Sequence, residues 1–147
     1  MSVENVLKTI KDKNIEFVDF RFVGLSGQAQ HITVPADQVS EETFINGVAF
    51  DGSSIPGFRG IEQSDMVMLP DPATAYEDPF TAHPTLILMS NIYTPDGERY
   101  DRDPRAIAQK AEEYLKESGV GTAAYFAPES EFFIFDDVRY ETKMNSS

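Results

Sequence analysis

Two glutamates near the carboxyl end of the chain have a spacing suited to binding a metal ion. The segment Pro128–Phe133 reads Pro-Glu-Ser-Glu-Phe-Phe, which places acidic side chains at Glu129 and Glu131. On a β-strand these two side chains share one face and lie about 7 Å apart along the chain. Carboxylate oxygens are the ligands that Mg²⁺ and Mn²⁺ prefer. The same spacing is typical of a strand whose acidic face is exposed to water, and the spacing alone favours that simpler interpretation.

A second candidate is the loop that begins with Asp51-Gly-Ser-Ser. It offers one carboxylate and the hydroxyl groups of Ser53 and Ser54 beside a glycine. Loops displayed by a rigid scaffold often carry binding or catalytic residues. The alternative is an Asx-turn, in which the Asp51 side chain accepts a hydrogen bond only from its own backbone. The residues of this loop alone favour the Asx-turn.

Composition excludes several classes of protein. The chain has 147 residues, a formal net charge of −13 and no cysteine. Such an acidic chain lacks the basic surface that nucleic acids require. The missing cysteines exclude disulfide scaffolds and thiolate zinc sites. No apolar run approaches the roughly 20 residues of a membrane span, and the amino terminus lacks a signal-peptide core. These features predict a cytoplasmic globular protein that binds neither nucleic acid nor membrane.

Hydrophobic periodicity predicts an α+β fold. Helices are expected where caps precede apolar stripes, with Ser2 and Asp103 as the clearest N-caps. The predicted helices are 2–13, 40–46 and 103–119, and the predicted strands are 15–23, 28–34, 65–69, 85–93, 121–127 and 129–135. The glycine-rich segment 47–60 is expected to be irregular.

The last predicted strand is unusual because it is apolar on both sides after its two glutamates. Such a strand needs neighbours on both faces, yet only twelve residues follow Phe135. We therefore expect a complete domain over 1–102, followed by an incomplete domain over 103–147.

Four separate segments together resemble one family. Phe50–Ile55, Ser64–Met66, Asp101–Arg105 and Pro128–Phe133 stand in the order found in bacterial class I glutamine synthetase. The resemblance runs from Val6 to Tyr140 and covers only the N-terminal part of that longer enzyme. Each motif alone is weak, but several at matching intervals make the resemblance specific.

The resemblance implies a fold and an activity. The expected fold is a β-grasp-like N-terminal domain over 1–102, followed by the truncated start of the glutamine synthetase catalytic α/β domain. The expected activity is ATP-dependent formation of glutamine from glutamate and ammonium through γ-glutamyl phosphate. Phe58 stands where the family commonly has Trp, so an aromatic side chain is retained there.

The resemblance also implies residue roles and an assembly. Asp51 matches the aspartate that binds ammonium and helps to deprotonate it, and Ser54 in the same loop assists. Glu129 and Glu131 match metal ligands, one for each of two Mg²⁺ or Mn²⁺ sites. The family forms a homo-oligomeric dodecamer of two hexameric rings, in which each active site lies between neighbouring subunits. We therefore expect the 147-residue chain alone to be inactive.

Two other functions stay open from the sequence. One is a γ-glutamyl-amine ligase of the same superfamily, which joins glutamate to an amine larger than ammonia. The other is a non-catalytic β-grasp interaction module. The intact pair Glu129 and Glu131 argues against a pure binding module, which has no need of two adjacent carboxylates.

Overall fold

The computed structural model describes residues 1–142, within which three α-helices and six β-strands form. The helices are α1 (Val3–Asp12), α2 (Glu41–Asn46) and α3 (Pro104–Glu117). The strands are β1 (Phe17–Val23), β2 (Ala29–Pro35), β3 (Val48–Asp51), β4 (Asp65–Pro70), β5 (Tyr76–Glu77) and β6 (Thr85–Tyr93). This combination of helices and strands confirms the predicted α+β fold.

The strands form one mixed sheet in the order β2-β1-β6-β4-β3, with β5 paired to β6. β1 and β6 run parallel, and the other pairs are antiparallel. Val18, Phe20 and Phe22 of β1 are buried on one face, as the period of two predicts. They pack there with buried apolar residues of β4 and β6 and with Val6 of α1. Ile55 and Phe58, which follow β3, belong to the same core, so the core also anchors the segment after that strand.

Capping residues place the ends of the helices as predicted. The Ser2 hydroxyl accepts a hydrogen bond from the Asn5 N–H at 3.2 Å at the start of α1. Asp103 caps α3, which ends just before Gly119. The spacing of apolar residues in α3 predicts a buried face made of Ile107, Ala108, Ala111 and Leu115. This face is wrong in part, because Ile107 is half exposed and the buried residue of the helix is its neighbour Ala106. Within residues 1–142, no helix combines the length and apolar character needed to cross a membrane.

A strand lies inside the segment that was expected to be irregular. Val48–Asp51 forms β3 and pairs antiparallel with β4. Gly47 allows α2 to turn directly into this strand, since its φ is +75° and a Cβ there would lie 2.4 Å from Val67 Cγ1. The short strand escapes prediction because glycines and serines dominate its surroundings.

The strands expected over 121–127 and 129–135 are absent. Both segments are irregular and exposed, with Phe126 at 91% and Phe133 at 86% exposure. A β-strand needs a neighbour to satisfy its backbone N–H and C=O groups, and none of the strands within 1–142 pairs with either segment. Residues 143–147 of the predicted second domain lie outside the described residues.

Candidate functional site

Asp51 ends β3 and opens the loop that carries the second candidate motif. It pairs with Asp65 of β4 at the end of the ladder. Its Oδ1 accepts hydrogen bonds from the Ser53 N–H at 2.8 Å and from the Ser53 hydroxyl at 2.6 Å. The Asx-turn is therefore present, and it holds one oxygen of the carboxylate in a defined position.

The same hydrogen bonds lower the pKa of the carboxylate. The Ser53 hydroxyl, and after it the Ser53 N–H, hold the pKa of Asp51 below its ordinary value of 3.8. The side chain is exposed, so the charged form is also hydrated. Asp51 is ionised at neutral pH, which makes it able to bind a small cation and to accept a proton from it.

Asp51 and Ser54 line a common cavity of about 210 Å³. Phe22, Phe50, Gln30 and His31 also line it, so the carboxylate shares the cavity with two phenyl rings, a carboxamide and an imidazole. Aromatic ring faces attract cations, and an amide oxygen accepts hydrogen bonds from an ammonium group. Sequence reasoning missed Gln30, because β2 reaches this loop only through its pairing with β1.

A row of packed aromatic side chains supports the loop of Asp51. The ring centroids of Phe50 and Phe22 lie 5.2 Å apart, and those of Phe22 and Phe58 lie 6.0 Å apart. The ring centroids of Phe58 and Tyr100 lie 5.1 Å apart. The Tyr100 hydroxyl also donates a hydrogen bond to the Phe58 carbonyl at 2.5 Å. Burial raises the pKa of Tyr100, which keeps its hydroxyl protonated as a donor. Phe58, only 3% exposed, therefore packs as the retained aromatic predicts.

Gly52 lets the loop close against β4. Its N–H donates to the Ser64 carbonyl at 2.7 Å. A Cβ at this position would lie 2.3 Å from Met66 Sδ and 3.1 Å from the Ser64 oxygen. The glycine next to Asp51 is therefore required for this close approach of the loop to β4.

The structure places Glu129 and Glu131 apart from this cavity. Both lie exposed in the irregular segment after α3, so the shared strand face expected for them is not formed. Neither lines the cavity of Asp51. Among residues 1–142, no group of three or more His, Cys, Asp or Glu side chains is placed to hold a metal ion. The two carboxylates have the right ligand chemistry but do not complete a metal site.

A polar cluster lies on the opposite face of β1. Asp19 is buried there and accepts hydrogen bonds from Arg21 Nε at 2.6 Å and from the Thr33 hydroxyl at 2.7 Å. His31 Nδ1 lies 2.7 Å from the same carboxylate, and the imidazole itself is exposed. These contacts satisfy the buried Asp19 carboxylate, and His31 also lines the cavity of Asp51.

Comparison with known families agrees with this fold. Residues 14–95 match the family described as "Glutamine synthetase, beta-Grasp domain", and residues 101–147 match "Glutamine synthetase, catalytic domain". The molecule is thus of the class in which a β-grasp domain is followed by the start of a glutamine synthetase catalytic domain. The chain belongs to the glutamine synthetase family.

Individual relatives include glutamine synthetases and one enzyme with a different name. The chain is 55% identical over 139 residues to the glutamine synthetase of Cereibacter sphaeroides, covering 94% of this chain and 30% of that one. It is 51% identical over 144 residues to a 3-hydroxylaminophenol mutase of Cupriavidus pinatubonensis, covering 97% and 31%. A Plasmodium falciparum glutamine synthetase structure matches 81% of this chain and 23% of its own, at 26% identity and a TM-score of 0.73. The chain therefore spans about 30% of the length of these curated relatives.

Proposed function

We propose that this chain supplies the ammonium-binding part of a glutamine synthetase, an ATP-dependent ligase that forms glutamine from glutamate and ammonium through γ-glutamyl phosphate. The observation that carries the proposal is the Asp51 carboxylate, exposed, ionised and fixed by Ser53 in a cavity that Ser54 also lines. Membership of the family supplies the reaction. The Asp51 carboxylate gives the cavity the negative charge that a small cation such as ammonium needs.

The residues of the cavity have distinct proposed roles. Asp51 binds ammonium through its carboxylate and accepts a proton, which releases ammonia as the nucleophile. Ser54 offers a hydroxyl oxygen to the remaining N–H groups. The rings of Phe22 and Phe50 reduce the access of water and attract the cation.

We further propose that Glu129 and Glu131 each supply one ligand to an Mg²⁺ or Mn²⁺ ion. Their oxygens suit these hard cations, but two exposed carboxylates do not make a complete coordination sphere. The remaining ligands then come from groups other than residues 1–142. On this proposal the chain alone binds the ions weakly and shows no ATP-dependent ligase activity.

The wider organisation follows from the same proposal. The domain boundary lies between 102 and 103, and the working enzyme is a cytoplasmic dodecamer of two hexameric rings. Glutamate, ammonium and ATP are its substrates. The cavity of Asp51 then serves the catalytic domain of a neighbouring subunit.

A chimera tests the role of Asp51. The chain is 51% identical over 142 residues to the Azotobacter vinelandii glutamine synthetase and covers 30% of that enzyme, so it can replace the matching part. In the chimera, Asp51→Asn should reduce ammonium-dependent glutamine formation about 100-fold or more, the size of effect expected for loss of a general base. Formation of γ-glutamyl phosphate, followed by acid-labile phosphate from ATP, should fall much less.

The matched control is Asp37→Asn, which removes an exposed carboxylate from a different turn and should leave both steps unchanged. Equal loss of both steps in the Asp51 variant contradicts the ammonium role. An inactive chimera that is folded and assembled contradicts the proposed function itself.

The same chimera separates the alternatives. A panel of alkylamines detects a γ-glutamyl-amine ligase, which would prefer a larger amine to ammonium. A folded but inactive chimera indicates the interaction module. Because one relative of 51% identity is named 3-hydroxylaminophenol mutase, conversion of 3-hydroxylaminophenol is measured alongside.

A further inference from the structure

Two arginines differ from the others in lacking a carboxylate partner. Four arginines form ion pairs, namely Arg21, Arg99, Arg105 and Arg139. Within residues 1–142, Arg59 and Arg102 form none. Acidic side chains do lie near Arg59, since Asp96 and Glu62 line a neighbouring cavity with it. A hydrogen bond with Thr94 lowers the pKa of Asp96, and the charge of Arg59 helps to lower it further. Within residues 1–142, no carboxylate comes within ion-pair distance of either guanidinium.

Both unpaired guanidinium groups are nevertheless held in place. Arg59 stacks on the ring of Tyr100, with its Cζ 5.1 Å from the ring centroid, and one terminal N–H donates to Gln63 Oε1 at 3.2 Å. Arg102 donates a terminal N–H to the Gly57 carbonyl at 3.2 Å. Each guanidinium carries five N–H groups, so most donors of both side chains remain available.

The two arginines line one cavity of about 360 Å³, together with Tyr100 and Gln63. Asp101 is the one carboxylate in its lining, and it offsets one of the two positive charges. This cavity shares no lining residue with that of Asp51. Its positive charge and its free N–H donors therefore define a separate site on the surface.

We propose that this cavity binds a phosphate group, either free or carried by a small molecule. A single carboxylate is matched by one guanidinium fork, whereas a phosphate has enough oxygens and charge to accept from two forks at once. The two guanidinium groups come from different segments, and the contacts of Arg59 with Tyr100 and Gln63 hold one of them in place, which reduces the side-chain entropy lost on binding. This proposal does not depend on the proposed function of Asp51.

Titration of the full chain with inorganic phosphate at pH 7.5 and constant ionic strength tests the site. Side-chain Nε–H signals of Arg59 and Arg102 and the amide signal of Gly60 are followed by NMR. We expect saturable shifts of all three signals. Arg59→Gln and Arg102→Gln should each weaken binding about tenfold, as expected for loss of a charge-assisted hydrogen bond.

Arg139→Gln is the matched control, since it changes the net charge equally at a residue outside the cavity. It should leave the affinity for phosphate unchanged, and an equal loss there would show a nonspecific effect of charge and overturn the proposal. Shifts that rise linearly without saturation would overturn it too. Acetate at the same ionic strength should produce less than about a tenth of the shift, and equal binding of acetate would contradict the assignment to phosphate.

Discussion

The Tyr100 hydroxyl donates a hydrogen bond to the Phe58 carbonyl at 2.5 Å, and the two rings are in contact. Tyr100 lies between the two segments that match the glutamine synthetase family. Its own carbonyl accepts from the Asp103 N–H at 3.3 Å, at the start of α3. The loop of Asp51 is therefore connected through Phe58 and Tyr100 to the first turn of that helix.

Removing this hydroxyl should loosen the loop of Asp51. Tyr100→Phe leaves the buried Phe58 carbonyl without its donor, which should cost about 1–3 kcal/mol of unfolding free energy. Hydrogen exchange at the amides of 52–58 should accelerate more than exchange in β6. The control is Tyr93→Phe, whose ring faces Arg99 and not the loop. Equal acceleration in both variants would show that Tyr100 does not position the loop.

The pKa of Asp51 should depend on Ser53. The Ser53 hydroxyl contributes most to the lowered pKa of Asp51. Ser53→Ala removes this donor and keeps the backbone N–H, so it should move the pKa of Asp51 upward, toward its ordinary value of 3.8. The carboxyl ¹³C shift measured against pH reports this change. Ser54 donates no hydrogen bond to Asp51 within the described residues, so Ser54→Ala should leave the titration unchanged. An Asp51 pKa that is the same in wild type and Ser53→Ala would contradict this account of the loop.

Asp19 should stabilise the fold at neutral pH. Removing its charge by Asp19→Asn weakens the hydrogen bonds from Thr33 and Arg21, at an expected cost of about 2 kcal/mol. Urea unfolding at pH 7 measures this change. Glu16→Gln is the control, because its carboxylate is exposed and its loss should cost less than about 1 kcal/mol. A similar loss of unfolding free energy in both variants would show that burial of Asp19 does not increase its contribution to stability.

The contribution of Asp19 should also depend on pH in a defined direction. Burial raises the pKa of Asp19, but hydrogen bonds from Thr33, Arg21 and His31 outweigh it and leave the pKa below 3.8. A carboxyl with a lowered folded-state pKa stabilises the protein above its unfolded pKa of about 3.9. That contribution is lost as the pH falls through the folded value. The difference between wild type and Asp19→Asn should therefore shrink in urea unfolding below about pH 4, and a constant difference would contradict it.

Removal of the Asp103 cap should lower the unfolding free energy substantially. It is fully buried, accepts hydrogen bonds from the Ile92 N–H at 3.2 Å and the Arg105 N–H at 3.0 Å, and pairs with Arg99 at 2.9 Å. Asp103→Ala should cost about 3 kcal/mol, because an unpaired buried donor is added to the lost cap. Ser2→Ala, at the exposed cap of α1, should cost about 1 kcal/mol in the same urea titration. Equal costs would show that the buried contacts of Asp103 contribute nothing.

Local patterns were sufficient for most of the β-grasp region. The alternation along β1 and the cap at Asp103 depend on neighbouring residues, and both appear where the sequence predicts them. β3 was missed, because its four residues acquire a strand conformation only by pairing with β4. The predicted strand at 129–135 failed for the converse reason, since its apolar residues find no neighbouring strand within 1–142.

The sequence by itself determined the family, the order of the main elements and the presence of Asp51 in an Asx-turn, since each depends on residue types at short range. Only the tertiary structure placed Gln30 beside Asp51 and Tyr100 beneath Phe58. It alone also brought Arg59 and Arg102 to one cavity, where neither guanidinium forms an ion pair within residues 1–142. These relationships join residues far apart in the chain, and they exist only because sheet pairing and aromatic packing bring those residues together.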